Sequence, residues 1–172
     1  MRVLVTAASR HGGTDEIARR IGDELEKALD FPALEVHVRP ADEVDDVLSY
    51  DAAVIGSAIY MGRWQEPARR LVEAVDTSRR ELPVWLFSSG PIGDPPQPEG
   101  DSEDAVALAA LPCVQEHATF AGKLDKHELR LTERAVVKAV RAPEGDFRDW
   151  TAIGDWARHV ASQINSIPVR RG

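Results

Sequence analysis

The sequence predicts an α/β domain in which helices cover both faces of a parallel sheet. Three observations carry that prediction. Short, continuously apolar runs rich in β-branched residues recur at 3–6, 52–56 and 84–87, the pattern of strands buried on both faces. Between them lie segments whose apolar residues repeat at helical spacing. The alternation of the two implies right-handed βαβ units. With 172 residues, 43% of them hydrophobic, the chain can bury one continuous core, and residues 1–172 are expected to form a single domain.

Taken in order, the first strand at 3–6 runs into a small-residue loop at 7–13 and then into a long helix. Ile17, Ala18, Ile21, Leu25, Ala28 and Leu29 make its apolar stripe, and Glu16, Arg19, Arg20, Asp23 and Lys27 its solvent face. Phe31-Pro32 closes it, because proline cannot continue a helix. Residues 34–38 form a second strand, in which Glu35 and His37 alternate with apolar residues and place it at an edge. The third strand, 52–56, is wholly apolar and therefore central. Pro67, Ala68, Leu71, Val72 and Val75 mark the buried face of the next helix, with Pro67 accommodated in its first turn. A fourth strand follows at 84–87, a helix at 105–111, and a fifth strand begins within 118–120. The last helix is the clearest, with Trp150, Ile153, Trp156, Ala157, Val160, Ala161 and Ile164 on one stripe. Residues 90–100, rich in proline and glycine, read as a loop within the domain.

Composition excludes several classes of function. A formal net charge of -8 opposes general nucleic-acid binding, since a phosphate backbone would be repelled over most of the surface. A single cysteine, Cys113, precludes an intrachain disulfide and is consistent with a reducing compartment. No stretch has the length and apolarity of a signal peptide or a membrane span, and a soluble, cytoplasmic protein is expected. The five histidines show no metal-ligand spacing, so no metal is expected. Only His11 falls near a candidate ligand loop.

In open parallel sheets, ligands bind beyond the carboxyl ends of the strands. Three loops lie there. The first, Ser9-Arg10-His11-Gly12-Gly13-Thr14, opens directly into a helix. Its glycines let the backbone bend around a ligand, and the helix start supplies N–H donors and positive partial charge. With the hydroxyls of Ser9 and Thr14, this suits a phosphate monoester. The alternative is a plain strand-to-helix turn capped by Thr14.

The second loop is Gly56-Ser57-Ala58-Ile59-Tyr60-Met61-Gly62-Arg63-Trp64. Small residues there allow close approach, and Tyr60 or Trp64 could stack on a planar ligand; the alternative for Trp64 is to staple the following helix to the core. The third, Ser88-Ser89-Gly90-Pro91-Ile92-Gly93-Asp94, offers backbone N–H groups and two hydroxyls, or is a plain surface loop.

The first loop resembles the phosphate loop of flavodoxins: hydroxyl, any, any, glycine, any, threonine. The resemblance implies a three-layer sandwich with a five-stranded parallel sheet in the order 2-1-3-4-5. It also implies flavin mononucleotide (FMN) as cofactor, with Ser9, His11, Gly12, Gly13 and Thr14 around the phosphate. Arg10 stands where small flavodoxins commonly have glycine, which leaves direct charge pairing with the phosphate open. The second loop would pass one face of the flavin ring and the third its polar edge. The third lacks the aromatic that many electron carriers place there, which leaves one ring face open to a substrate or quinone.

The chain is also similar to the menaquinone-dependent protoporphyrinogen IX dehydrogenases. That similarity rests on the first loop, on 56–62, on Phe120-Ala121-Gly122-Lys123-Leu124, and on Gly145-Asp146-Phe147-Arg148-Asp149-Trp150. It implies an insertion before the last helix and electron transfer from a reduced organic substrate to a quinone. Between residues 124 and 145, Leu131, Ala135, Val136 and Val140 could line one stripe. The segment reads as a solvated helix packed on the domain, with peripheral membrane contact as the other reading. Two further functions compete: an electron carrier that serves a redox partner protein, and a flavin-free binding or regulatory domain.

Overall fold

The structure is a computed structural model, and it describes residues 1–78, 80–92, 100–125 and 143–167. Its centre is a sheet of five parallel strands: β1 (Arg2–Ala8), β2 (Glu35–Pro40), β3 (Ala52–Tyr60), β5 (Val84–Ser89) and β6 (Val114–Phe120). Their order is β2-β1-β3-β5-β6, with the short β4 (Arg63–Trp64) antiparallel to β3. Counting parallel strands alone, this is the expected order 2-1-3-4-5. A second, two-stranded ribbon joins β7 (Lys123–Leu124) to β8 (Gly145–Asp146). The helices are α1 (Gly13–Ala28), α2 (Glu66–Thr77), α3 (Glu103–Ala109) and α4 (Trp150–Asn165).

Alternation along the strands sends side chains into two cores. Val3, Val5, Trp85 and Phe87 meet Ile17, Ile21 and Leu25 of α1 and Ile153, Val160 and Ile164 of α4. On the other face Leu4, Ile55 and Leu86 meet Leu71 and Val72 of α2 and Leu108 of α3. Each such aliphatic side chain, fully buried, contributes about 1.5–3 kcal/mol before entropy is counted. The wholly apolar reading of 52–56 as a central strand is thereby explained, since both of its faces are covered. On α4 the stripe is buried as expected except for its two tryptophans, which are only partly covered. The Trp156 Nε1 donates to Glu116 Oε1 at 2.7 Å, so the wet edge of the ring carries its polar atom.

Several boundaries differ from expectation. β3 runs four residues past Gly56, because it continues as one arm of a hairpin. The two-residue turn, Met61-Gly62, has φ of 50° and 74°, both positive as a type I′ turn requires. β6 begins at Val114, four residues before the apolar run that the sequence marks. It is an edge strand whose polar Gln115, Glu116 and His117 hide the strand pattern. β2 is the opposite edge, as the alternation predicted. α3 starts two residues early because the Ser102 hydroxyl accepts from Ala105 N at 3.2 Å. The apolar stripe expected on the insertion, at 131–140, lies outside the described residues.

Candidate cofactor site

The carboxyl ends of β1, β3, β5 and β6 converge on a cleft of about 320 Å³, within the size range of small-molecule sites. All three loops singled out in the sequence contribute to it. Ser9, Arg10, His11, Gly13 and Thr14 line it from the first, Ala58, Ile59, Tyr60 and Met61 from the second, and Ser89, Gly90 and Ile92 from the third.

The first loop leads into an uncapped helix start. Gly12 is the N-cap of α1 at φ 78°, a left-handed conformation in which a side chain would be strained. No side chain caps the helix, so its first N–H groups stay available as donors. Thr14 lies inside the first turn, buried, and is not the cap. The Ser9 Oγ sits beside the Asp15 carboxyl yet is buried without a well-formed hydrogen bond. A buried hydroxyl without a partner is costly unless a ligand satisfies it. The group fits: orphaned hydroxyl, uncapped helix start and left-handed glycine together match a phosphate ester. Burial pushes the Asp15 carboxyl above its ordinary range, against the opposing effects of Arg19 and Ser9.

The second loop separates the two aromatic candidates. Tyr60 lines the cleft, and the Arg10 guanidinium lies over its ring at 3.8 Å from the centroid. Met61, at the hairpin tip, is 84% exposed. Trp64 is 3% exposed and faces the opposite core. Its Nε1 donates to Ser88 Oγ at 2.9 Å, and its backbone N–H to Asp104 Oδ2 at 3.1 Å. Trp64 is therefore the staple and not a wall of the cleft. The hairpin register puts the two aromatics on opposite faces, since Trp64 pairs with Ile59 and Arg63 with Tyr60, and burial in the core removes Trp64 from the cleft.

The other loop residues divide between the cleft and the core. Ser57 is fully buried and accepts from Gln65 N at 2.8 Å, fixing the entry to α2. Ser88 is committed to Trp64 and His117, whereas Ser89 reaches the cleft. Gly62 turns the hairpin outside the lining, and Pro91 contributes its carbonyl to Gly122 N at 2.7 Å. Gly12 lies outside the lining, and Gly93 lies outside the described residues.

Gly122, Lys123 and Leu124 also line the cleft, and sequence reasoning did not place them there. Gly122 packs against Gly90 so tightly that a Cβ would come within 3.4 Å of the Gly90 Cα. The small pair Ala121-Gly122 directly after a strand end was the available signal. Among the described residues no cluster of three His, Cys, Asp or Glu side chains could hold a metal.

Behind the third loop, His117 completes a chain of polar groups. Its side chain is 7% exposed, with Nε2 2.9 Å from Ser88 Oγ and Nδ1 3.6 Å from Asp101 Oδ2. The Trp64 indole can only donate, so the Ser88 hydroxyl gives its own proton to His117 Nε2. His117 is then neutral, with its Nδ1–H toward Asp101. Burial lowers its pKa, and Asp101 partly opposes this. A histidine depressed in the folded state stabilises above its unfolded pKa of about 6.5 and loses that contribution as the pH falls. Acidification from about pH 7.5 to 5.5 is expected to lower Tm, and His117→Gln to flatten that slope. An identical slope in the variant, measured by thermal unfolding, would remove His117 from the explanation.

Known proteins agree with the architecture. An archaeal flavodoxin aligns at 14% identity and a TM-score of 0.57, covering 95% of this chain and 99% of its own. A flavodoxin variant from Pseudomonas aeruginosa aligns at 20% identity and a TM-score of 0.55, over 94% and 97%. Rubredoxin oxygen:oxidoreductase from Desulfovibrio gigas aligns at 8% identity and a TM-score of 0.65, over 96% of this chain and 36% of that one. No curated protein matches the chain. Among the described residues no helix is long and apolar enough to cross a membrane. The model of the flavodoxin domain family matches residues 4–151, a span that takes in most of β1, the other four parallel strands and the three loops at their carboxyl edge. By that match the chain belongs to the flavodoxin family, with FMN as its cofactor.

Proposed function

We propose that this chain is an FMN-dependent oxidoreductase that passes electrons from a reduced organic substrate to a quinone, in the manner of the menaquinone-dependent protoporphyrinogen IX dehydrogenases. One observation carries the reading: the cleft has an aromatic wall on one side only. Among the described residues that line it, Tyr60 is the sole phenylalanine, tyrosine or tryptophan. The third loop carries none anywhere in 88–101. Ile59, Met61, Ile92 and Leu124 provide an apolar rim suited to a planar organic molecule.

Bound FMN supplies the electron chemistry, and the protein supplies binding, orientation and electrostatics. In this reading Ser9, Thr14 and the first N–H groups of α1 hold the phosphate. His11 closes that end of the cleft. Ala58, Ile59 and Tyr60 pack beside the ring, and Ser89 and Gly90 meet its polar edge. The site is open to a donor from the side opposite Tyr60.

The test is anaerobic turnover by the FMN-loaded protein, with a reduced porphyrinogen as donor and a menaquinone analogue as acceptor. Saturable, donor-dependent quinone reduction is the expected result. Fast electron exchange with a flavodoxin reductase and no turnover would replace this reading with that of an electron carrier serving a redox partner protein. Failure to take up FMN would overturn both and leave a binding or regulatory domain.

A further inference from the structure

Arg148 follows β8, on the far side of the 124–145 segment from the cleft wall, yet it reaches the start of α1. Its side chain is 2% exposed. Nη1 donates to the Gly13 carbonyl at 3.0 Å. Nε and Nη2 grip Asp146 Oδ1 and Oδ2 at 2.8 and 2.6 Å, a two-pronged pair. Nη2 is also 2.9 Å from Glu16 Oε2, and the guanidinium lies 4.5 Å from the Trp150 ring centroid.

Two consequences follow. Gly13 is the first residue of α1 and lines the cleft, so a bond to its carbonyl fixes the peptide whose other end is the Thr14 N–H. Glu16 and Asp146, with Asp15 nearby, place carboxylates around a site that must accept a phosphate. Like charges repel, and solvent screens carboxylates as exposed as these only in part. The buried guanidinium offsets both of the carboxylates it touches. Asp146 is held below the ordinary carboxylate range by Arg148. Lys123, the β7 partner of Asp146, lines the cleft itself, so the β7–β8 ribbon joins the cleft wall to this arginine.

We infer that Arg148 is a positioning residue for the phosphate of FMN: it pins the Gly13 carbonyl and neutralises Glu16 and Asp146 behind the anion site. Arg148 lies outside the cleft lining, and it acts through the first loop. The inference rests on the FMN reading of that loop. It concerns the phosphate alone, so it separates from general folding by comparing FMN with riboflavin, which has the ring without the phosphate.

The experiment is fluorescence titration of the apo protein with each ligand. Wild type is expected to prefer FMN. Arg148→Met is expected to lose about tenfold or more of that preference, equal to about 1.4 kcal/mol, with riboflavin affinity little changed. Adding Glu16→Gln to Arg148→Met is expected to restore part of it, because one uncompensated charge is removed. Arg148→Lys keeps the charge and loses the fork, and gives an intermediate preference; it carries the test if Arg148→Met does not fold. Equal loss for both ligands, or an unchanged preference, overturns the inference. Failure of the wild type to bind FMN at all overturns the loop reading instead.

Discussion

Trp64→Ala is expected to lower the free energy of unfolding by about 3–5 kcal/mol, the range for deleting a large buried aromatic. The ring is 3% exposed and packs in the core beneath α2 and α3. Its loss also removes the indole that donates to Ser88 Oγ, and loosens the β3–β4 hairpin that carries Tyr60 and Met61. Tyr60→Ala is the control. That ring lines the cleft, so its removal is expected to cost about 1 kcal/mol or less in stability and to alter flavin fluorescence instead. Urea unfolding of the two apo variants, followed by FMN titration, separates the roles. Full stability in Trp64→Ala with loss of flavin would return Trp64 to the cofactor site.

Gly56→Ala is expected to destabilise by about 1–3 kcal/mol, although it adds one methyl group to a central strand. The Phe87 ring lies across the glycine, and a Cβ there would come within 2.1 Å of Phe87 Cζ. Phe87 is fully buried and held by Phe120 and Trp156, with centroids at 6.2 and 6.4 Å, so the ring has nowhere to move. Combining Gly56→Ala with Phe87→Leu is expected to cost less than the sum of the single changes, by about 0.5–3 kcal/mol. Denaturation midpoints of the four proteins give the coupling directly. Simple additivity would mean that the backbone, and not the ring, absorbs the methyl group.

Much of the architecture was legible because its signals are local. The runs at 3–6, 52–56 and 84–87 announce strands covered on both faces, and the stripes from Ile17 and from Ile153 announce the helices that cover them. The first loop was legible as a candidate anion site for a similar reason: hydroxyls and glycines directly before a helix have few structural uses. β6 was only half visible, since an edge strand tolerates Gln115, Glu116 and His117 and loses its apolar signature. Which of Tyr60 and Trp64 faces the cleft was not legible. Both are aromatic, both lie near one turn, and the hairpin register that assigns them to opposite faces depends on Met61 and Gly62 adopting positive φ.

The α/β class, the flavodoxin family and the three loops that meet at the cleft were all readable from the sequence. Periodicity and short motifs are written in consecutive residues, and they survive without knowledge of what packs where. Tertiary structure alone decided which residue of each loop reaches the cleft: Ser89 and not Ser88, Tyr60 and not Trp64, and Gly122 to Leu124 in addition. It also decided that Arg148 lies against Gly13, 135 residues away in the chain. Such pairings follow from strand pleat, hairpin register and the docking of distant segments. The energies that fix them come from burying surfaces against each other, which no single stretch of sequence contains.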